Sequence, residues 1–389
     1  MASSCLESSA VPTNSVGVVT PQSIQFDKSI KLAGGGELAS FKLMYETYGE
    51  LNADRSNAVL ICHALSGHHH AAGYHDLADR RTIGWWDNCI GPGKPIDTNL
   101  FYVIALNNLG GCHGSTGPTS NRPDDGEPFG SDFPQVTVSD WVKSQALLAD
   151  ALDIRRFAAV IGGSLGGMQA LQWAIDYPGR VRNALLIACA PNLSAQNIAF
   201  NEIARQAILT DRNFHQGKYL DASSNPADGL GTARMLGHVT YLSAEGMNEK
   251  FGGDFENPNA EAAHDVVGEV TSYLQYNGQK FANMFDANTY LLMTHALDSF
   301  DPARVYDGNL VAALRQITAR LLVVSFSTDW RFAPERSREI VDAAIAADCD
   351  VSYVDIESIS GHDSFLLEIP RYHRILKAYM KEISDKLNS

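Results

Sequence analysis

The chain is expected to adopt an α/β fold, a mostly parallel, doubly wound sheet with a helical cap inserted into it. Three observations predict this. Short β-branched runs alternate with helical stretches from about Gly17 to Cys189, strand-like runs vanish between about Pro191 and Arg304, and the strand pattern returns at 320–326 and 350–355.

Taken in order, residues 58–62 (AVLIC) form a continuous apolar run between Arg55-Ser56-Asn57 and a polar stretch from Ser66 to His70, as a strand buried on both faces should. Residues 101–106 repeat the pattern and run into a turn-rich segment at 107–117. Helical spacing covers 138–151, with Thr137 or Ser139 as its N-cap. A strand at 157–161, a helix with Met168, Leu171 and Ile175 on one face, and a strand at 183–188 follow. Amphipathic stretches at 201–209, 233–242 and 288–297 supply the insertion. The last two strands flank a helix carrying Ile340, Val341, Ala344 and Ile345, and a final helix spans roughly 372–383. The expected organisation is therefore a tail over 1–15, a core over 16–190 and 305–389, and a cap over 191–304.

Composition narrows the function. The 389 residues carry 30 Lys+Arg against 45 Asp+Glu, a formal net charge of −15, with no block of basic residues. Nucleic acid and anionic membrane are thereby disfavoured as partners, and an anionic substrate must be held by a few placed cations. The six cysteines (Cys5, Cys62, Cys89, Cys112, Cys189, Cys349) are scattered, several in apolar runs, and form no C-x-x-C pair. They are expected to be free thiols of a cytoplasmic protein. The first fifteen residues are polar and Ser-rich, without the basic and apolar regions of a secretory leader, and no apolar run approaches the ~20 residues of a membrane span.

Gly162-Gly163-Ser164-Leu165-Gly166 has the form G-x-S-x-G, with a strand directly before it and a helix directly after. Such a strand-to-helix turn exposes the serine oxygen, and glycines flank it because side chains there would collide. A serine hydroxyl becomes a nucleophile only when a base takes its proton. His362 lies in a loop just after the last strand, where a base reaching over the sheet edge should sit; His373 lies within the final helix and is the weaker candidate. Asp329, at the end of the 320–326 strand, is the candidate acid that orients the imidazole, with Asp355 as its alternative. The backbone N–H of Leu165 at the helix start, and that of Leu65 in the loop after the 58–62 strand, are candidate oxyanion donors. The run His68-His69-His70 with His75 invites a metal reading. Three consecutive side chains cannot converge on one ion, and no C-x-x-C or H-E-x-x-H accompanies them, so no metal site is expected. Gly110-Gly111-Cys112-His113-Gly114 lacks the Gly-Lys-Ser/Thr ending of a phosphate loop and reads as a structural loop.

Four segments, NNLGG at 107–111, GGSLGGMQAL at 162–171, SAQNIAFN at 194–201 and DANTYL at 286–291, resemble the MetX-type homoserine O-acyltransferases, which have the α/β-hydrolase fold. The resemblance runs from about Val16 to Ile383, across core and cap. It implies that Ser164 is the nucleophile, Asp329 the acid and His362 the base, that Arg234 holds the carboxylate of homoserine, and that Asp363 receives its amino group. It also implies a homodimer, a role in methionine biosynthesis, and an acyl-CoA co-substrate with no resident cofactor. Members using acetyl-CoA usually carry leucine two positions after the acid, where this chain has Arg331. An arginine there has an anion to meet in the carboxylate of a succinyl donor, which points to the homoserine O-succinyltransferase branch. The competing readings are an ion pair of Arg331 with Glu335 or Glu339, an acetyl donor, serine as the acceptor, and a carboxylesterase using the same triad.

Overall fold

In chain order the strands of the main sheet are β1 (Gln22–Phe26), β2 (Phe41–Tyr48), β3 (Ala58–Cys62), β4 (Tyr102–Leu106), β5 (Ala159–Gly163), β6 (Asn183–Ile187), β7 (Arg320–Phe326) and β8 (Val351–Ile356). They assemble in the spatial order β1-β2-β4-β3-β5-β6-β7-β8. Strand β2 runs antiparallel to both its neighbours, and every pairing from β4 to β8 is parallel. The computed structural model describes residues 11–220, 224–252 and 268–388. Cys5 and the first ten residues of the expected tail lie outside these.

The sheet is buried on both sides, and alternate residues of each strand feed two separate cores. On one side Leu60, Val160, Leu186 and Val323 pack with helices α1 (Val138–Ala151) and α2 (Leu165–Asp176). On the other, Ile61, Ile161, Leu185 and Val324 pack with Trp86, Ile90 and the C-terminal helix, whose Tyr372, Leu376, Met380 and Ile383 recur at helical spacing. Thr137 starts α1 with a reciprocal capping box, its hydroxyl accepting from the Asp140 N–H while the Asp140 carboxylate accepts from the Thr137 N–H.

Between β6 and β7 the described residues form helices and no strand: α3 (Ala195–Leu209), α4 (Ala227–Tyr241), α5 (Ala244–Phe251), α6 (Glu269–Ala282), α7 (Ala287–Asp298) and the short α8 (Leu310–Leu314). Helix α9 (Pro334–Ala346) joins β7 to β8, and α10 (Pro370–Leu387) closes the chain. The longest helices of the insertion pack on one another, α4 against both α3 and α6.

One strand differs in register from the sequence expectation. The strand expected at 157–161 is observed at Ala159–Gly163, because Phe157 leaves the ladder for an isolated bridge to Val181 while Gly162 and Gly163 join the sheet. A Cβ on Gly162 would come 2.1 Å from the Gly166 backbone, so close packing of the turn, not strand propensity, decides the residue there.

Candidate active site

Parallel strands place their following loops along one edge, and four of those loops converge there. The loop after β3 carries Leu65, the turn after β5 carries Ser164, the loop after β7 carries Asp329 and Arg331, and the loop after β8 carries His362 and Asp363.

Ser164 sits at φ 58° and ψ −124°, in the left-handed half of the map, where a residue with a Cβ is strained. The turn is held by the Ser164 N–H, which donates to the Ile187 carbonyl at 2.9 Å, and by its glycines: a Cβ on Gly166 would meet the Cys62 carbonyl oxygen at 2.0 Å. Nε2 of His362 lies 2.8 Å from Ser164 Oγ, and its Nδ1 lies 2.7 Å from Asp329 Oδ2. All three side chains are buried. The second oxygen of Asp329 accepts the backbone N–H groups of Arg331 at 3.0 Å and Phe332 at 2.9 Å, which holds the carboxylate in place against the imidazole. The Thr328 hydroxyl ties the two loops together, donating to the Ser358 carbonyl and accepting from the Gly361 N–H. Of the alternatives, Asp355 is engaged by Ser325 Oγ at 2.6 Å within the sheet, and His373 lies on α10 beside Cys89.

The Leu165 N–H opens α2, where first-turn amides have no intrahelical acceptor. Leu65 lines the cavity that contains Ser164 and His362. A buried amide network supports its loop: Gln169 donates to the His63 carbonyl at 3.0 Å and accepts from Asn108 and Gln145, and Trp173 donates to Gln145 at 2.6 Å. His63 accepts from the Asn108 N–H and faces the Ala64 carbonyl through Nδ1; burial holds its pKa down at about 4, so it acts as a neutral brace.

The cavity, about 100 Å³, is lined by Ser164, Arg234, Tyr241, Arg331, His362 and Asp363 among others, while Asp329 stands outside its lining, behind His362. A larger one, about 440 Å³, lies between Phe133, Phe214 and Leu292 and contains none of them. Arg234, on α4, donates to Ser66 Oγ at 3.3 Å and lies over the rings of Phe281 and Tyr241. Burial raises the Asp363 carboxyl above the usual carboxylate range, and the His362 and Arg234 charges oppose that shift without cancelling it.

Arg331 is 6% exposed, and its guanidinium donates to Thr240 Oγ1 at 2.8 Å and Asn201 Oδ1 at 3.1 Å, both neutral acceptors. No carboxylate among the described residues pairs with it, and Glu339 pairs with Arg336 instead at 2.5 Å. The alternative of a structural ion pair through Glu335 or Glu339 therefore finds no support. Sequence reasoning missed Thr240, Asn201 and Tyr241. Two of them left a signal: Asn201 ends the 194–201 segment that carries the resemblance, and Tyr241 lies seven residues from Arg234 on the same face of one helix.

The histidine run finds a partner that the sequence does not indicate. His69 and His75, not three consecutive residues, come together with Glu46 of β2, with ligand-capable atoms within 4.8 Å of one another. Glu46 is fully buried and already accepts from Tyr48 at 2.8 Å, with His70 at 2.9 Å and His75 at 2.6 Å. These bonds hold its carboxyl below the usual range against burial, so the cluster compensates a buried charge that pins the 68–75 segment to the sheet.

Comparison with known proteins extends this picture. The alpha/beta hydrolase fold family matches residues 57–368. A homoserine O-succinyltransferase of Marinobacter nauticus is 59% identical over 380 residues, covering 98% of this chain and 99% of that protein. Among solved structures, a homoserine O-acetyltransferase from Bacillus anthracis superposes with a TM-score of 0.86 at 28% identity, covering 93% of this chain and 98% of that one. Esterase E22 superposes with a TM-score of 0.85 at 30% identity, covering 93% and 100%.

Proposed function

Since the chain belongs to the homoserine O-succinyltransferase family, within the α/β-hydrolase fold, we propose that it transfers succinyl from succinyl-CoA to the hydroxyl of L-homoserine, a step of methionine biosynthesis. The observation that carries this reading is the presence, in one cavity, of a Ser–His pair backed by Asp329 and of a buried guanidinium with no carboxylate partner among the described residues.

Ser164 Oγ attacks the thioester carbonyl as His362 Nε2 takes its proton. Negative charge on the carbonyl oxygen is met by the Leu65 and Leu165 N–H groups. Asp329 holds the imidazole in the tautomer that accepts at Nε2, and stabilises the cation that forms. Collapse of the tetrahedral adduct breaks the C–S bond, CoA leaves with the proton from His362, and Ser164 keeps the succinyl ester. Homoserine then enters, with its carboxylate on Arg234 and its ammonium on Asp363. His362 removes the hydroxyl proton as the oxygen attacks the ester, and returns it to Ser164 Oγ when the product leaves. An ammonium beside Asp363 favours the charged carboxylate that burial disfavours, so site and acceptor complement each other.

In this reading Arg331 binds the distal carboxylate of the succinyl group, an anion that acetyl-CoA lacks. The segment 191–304 serves as the cap that excludes water while the hydroxyl is positioned. Exposed Ile198, Ile203 and Val239 on α3 and α4 are the surface for a homodimer, and the five described cysteines, all free, fit a reducing cytoplasm.

Succinyl-CoA offered without homoserine tests the covalent step. The expected result is release of one CoA per chain and a mass increase of one succinyl group, lost when L-homoserine is added; Ser164→Ala removes both. Full turnover by Ser164→Ala would overturn the mechanism.

A further inference from the structure

Arg331 cannot choose its own direction. Its main chain is committed to the acid, with its N–H on Asp329 Oδ1, and its carbonyl accepts from Asn197 Nδ2 at 2.8 Å. From that anchor the side chain runs into the helical insertion. There Thr240, the next-to-last residue of α4, and Asn201 of α3 each accept one guanidinium nitrogen. Both are buried, at 1% and 3% exposure, and both are neutral. Asn201 is itself oriented, because its amide donates to Asp298 Oδ1 at 2.6 Å, which leaves only its oxygen to face Arg331. Asp298 in turn is neutralised by Arg205 at 2.7 Å, and Arg205 by Glu202 at 2.9 Å. An acidic residue in place of Asn201 would occupy the guanidinium permanently; an apolar one would leave it unguided.

Tyr241, next to Thr240, lies with its ring 5.3 Å from the Arg331 guanidinium and 5.6 Å from that of Arg234. The C-terminal turn of α4 thus places one aromatic ring beside both cations that line the cavity. It is also fixed to the catalytic loops: Trp330 Nε1 donates to the Leu242 carbonyl at 2.9 Å, and Ser243 Oγ donates to the Ile359 carbonyl. A Cβ on Gly361, at φ +63°, would come 2.6 Å from the Tyr241 carbonyl oxygen and the Ser243 nitrogen, which leaves no slack between this turn and the base loop.

We infer that Thr240 and Asn201 are positioning residues for donor choice: they hold the Arg331 guanidinium in the cavity with its charge unspent, so that a dicarboxylic acyl donor is selected by helices α3 and α4 of the insertion as well as by the arginine. The inference rests on the reading of Arg331 as the partner of the donor carboxylate. Arginine reaches a carboxylate well only when its planar fork is presented at the right angle, and two fixed neutral acceptors present it without competing for its charge.

The test measures kcat/KM for succinyl-CoA and acetyl-CoA, with L-homoserine saturating, in Thr240→Val, Thr240→Ser, Asn201→Asp and Arg331→Leu. Thr240→Val keeps the shape and removes the acceptor, so the succinyl:acetyl ratio is expected to fall about tenfold, chiefly through KM for succinyl-CoA. Thr240→Ser keeps the acceptor and the ratio. Asn201→Asp is expected to lower the ratio at least as far, since an internal anion takes the place of the substrate's. If Arg331→Leu shifts the ratio but Thr240→Val and Asn201→Asp lower both donors equally, the positioning role is wrong and the reading of Arg331 stands. If Arg331→Leu itself leaves the ratio unchanged, the reading of Arg331 fails and this inference with it.

Discussion

Replacing Arg331 with leucine removes a cation from the cavity while leaving the catalytic hydrogen bonds in place. The acid is capped by the backbone N–H groups of residues 331 and 332, which the substitution keeps, and the Ser164–His362–Asp329 chain includes no atom of the Arg331 side chain. The loss is therefore confined to what the guanidinium does for the donor. A hydrogen bond to a charged partner is worth about 1.5–3 kcal/mol, and each 1.36 kcal/mol is tenfold in rate, so kcat/KM for succinyl-CoA should fall about 10- to 150-fold. Acetyl-CoA has no carboxylate to lose and should be used at least as well as before. In the folded state two opposing effects meet: Thr240 and Asn201 lose their donor, while a buried charge without a carboxylate partner among the described residues is removed. The melting temperature should stay within about 4 °C of the parent. The assay is CoA release under saturating L-homoserine, each donor varied in turn. An equal fall with both donors, accompanied by a large drop in melting temperature, would refute the reasoning and make Arg331 a structural residue.

Three further outcomes follow from the same geometry. Asp329→Asn should lower kcat by about 10⁴, since an amide at 2.7 Å from His362 Nδ1 favours the wrong tautomer; steady-state rates with unchanged folding check it. Gly166→Ala should destabilise the chain by about 3 kcal/mol or more, because its Cβ would meet the Cys62 carbonyl oxygen at 2.0 Å, and urea unfolding reads this directly. Asp363→Asn should raise KM for homoserine while stabilising the fold at neutral pH. The folded-state pKa is raised, so the folded chain holds the proton more tightly, and the stability cost of the charged form grows as pH rises from the ordinary carboxylate range through the raised value. A substitution that lowers both stability and homoserine affinity at neutral pH would contradict that sign.

What could be read from the chain followed the range of each signal. The nucleophile was legible because strand, turn and helix are contiguous, and the G-x-S-x-G pattern lies between them. Its strand was misplaced by two residues because Gly162 and Gly163 look like strand breakers, whereas the turn requires their missing side chains. Asp329 and His362 were legible from their order after the last two parallel strands, a rule of topology that survives without knowing any distance. The contacts that hold Arg331 left no such trace. Thr240 and Asn201 are 91 and 130 residues away from it, and each is an ordinary polar residue of an amphipathic helix. The same holds for Glu46, whose pairing with His70 and His75 spans 24 and 29 residues and makes the histidine segment the partner of a buried charge. Long-range polar satisfaction is set by packing, and local periodicity carries no record of it.

The measurement that bears most directly on the central claim is CoA release by the purified protein, with succinyl-CoA and acetyl-CoA offered in parallel, each with and without L-homoserine. The account predicts sustained turnover that requires homoserine and is faster with succinyl-CoA, with O-succinylhomoserine as the product. Faster turnover with acetyl-CoA would contradict the role given to Arg331, and sustained release that ignores homoserine would contradict the transferase itself.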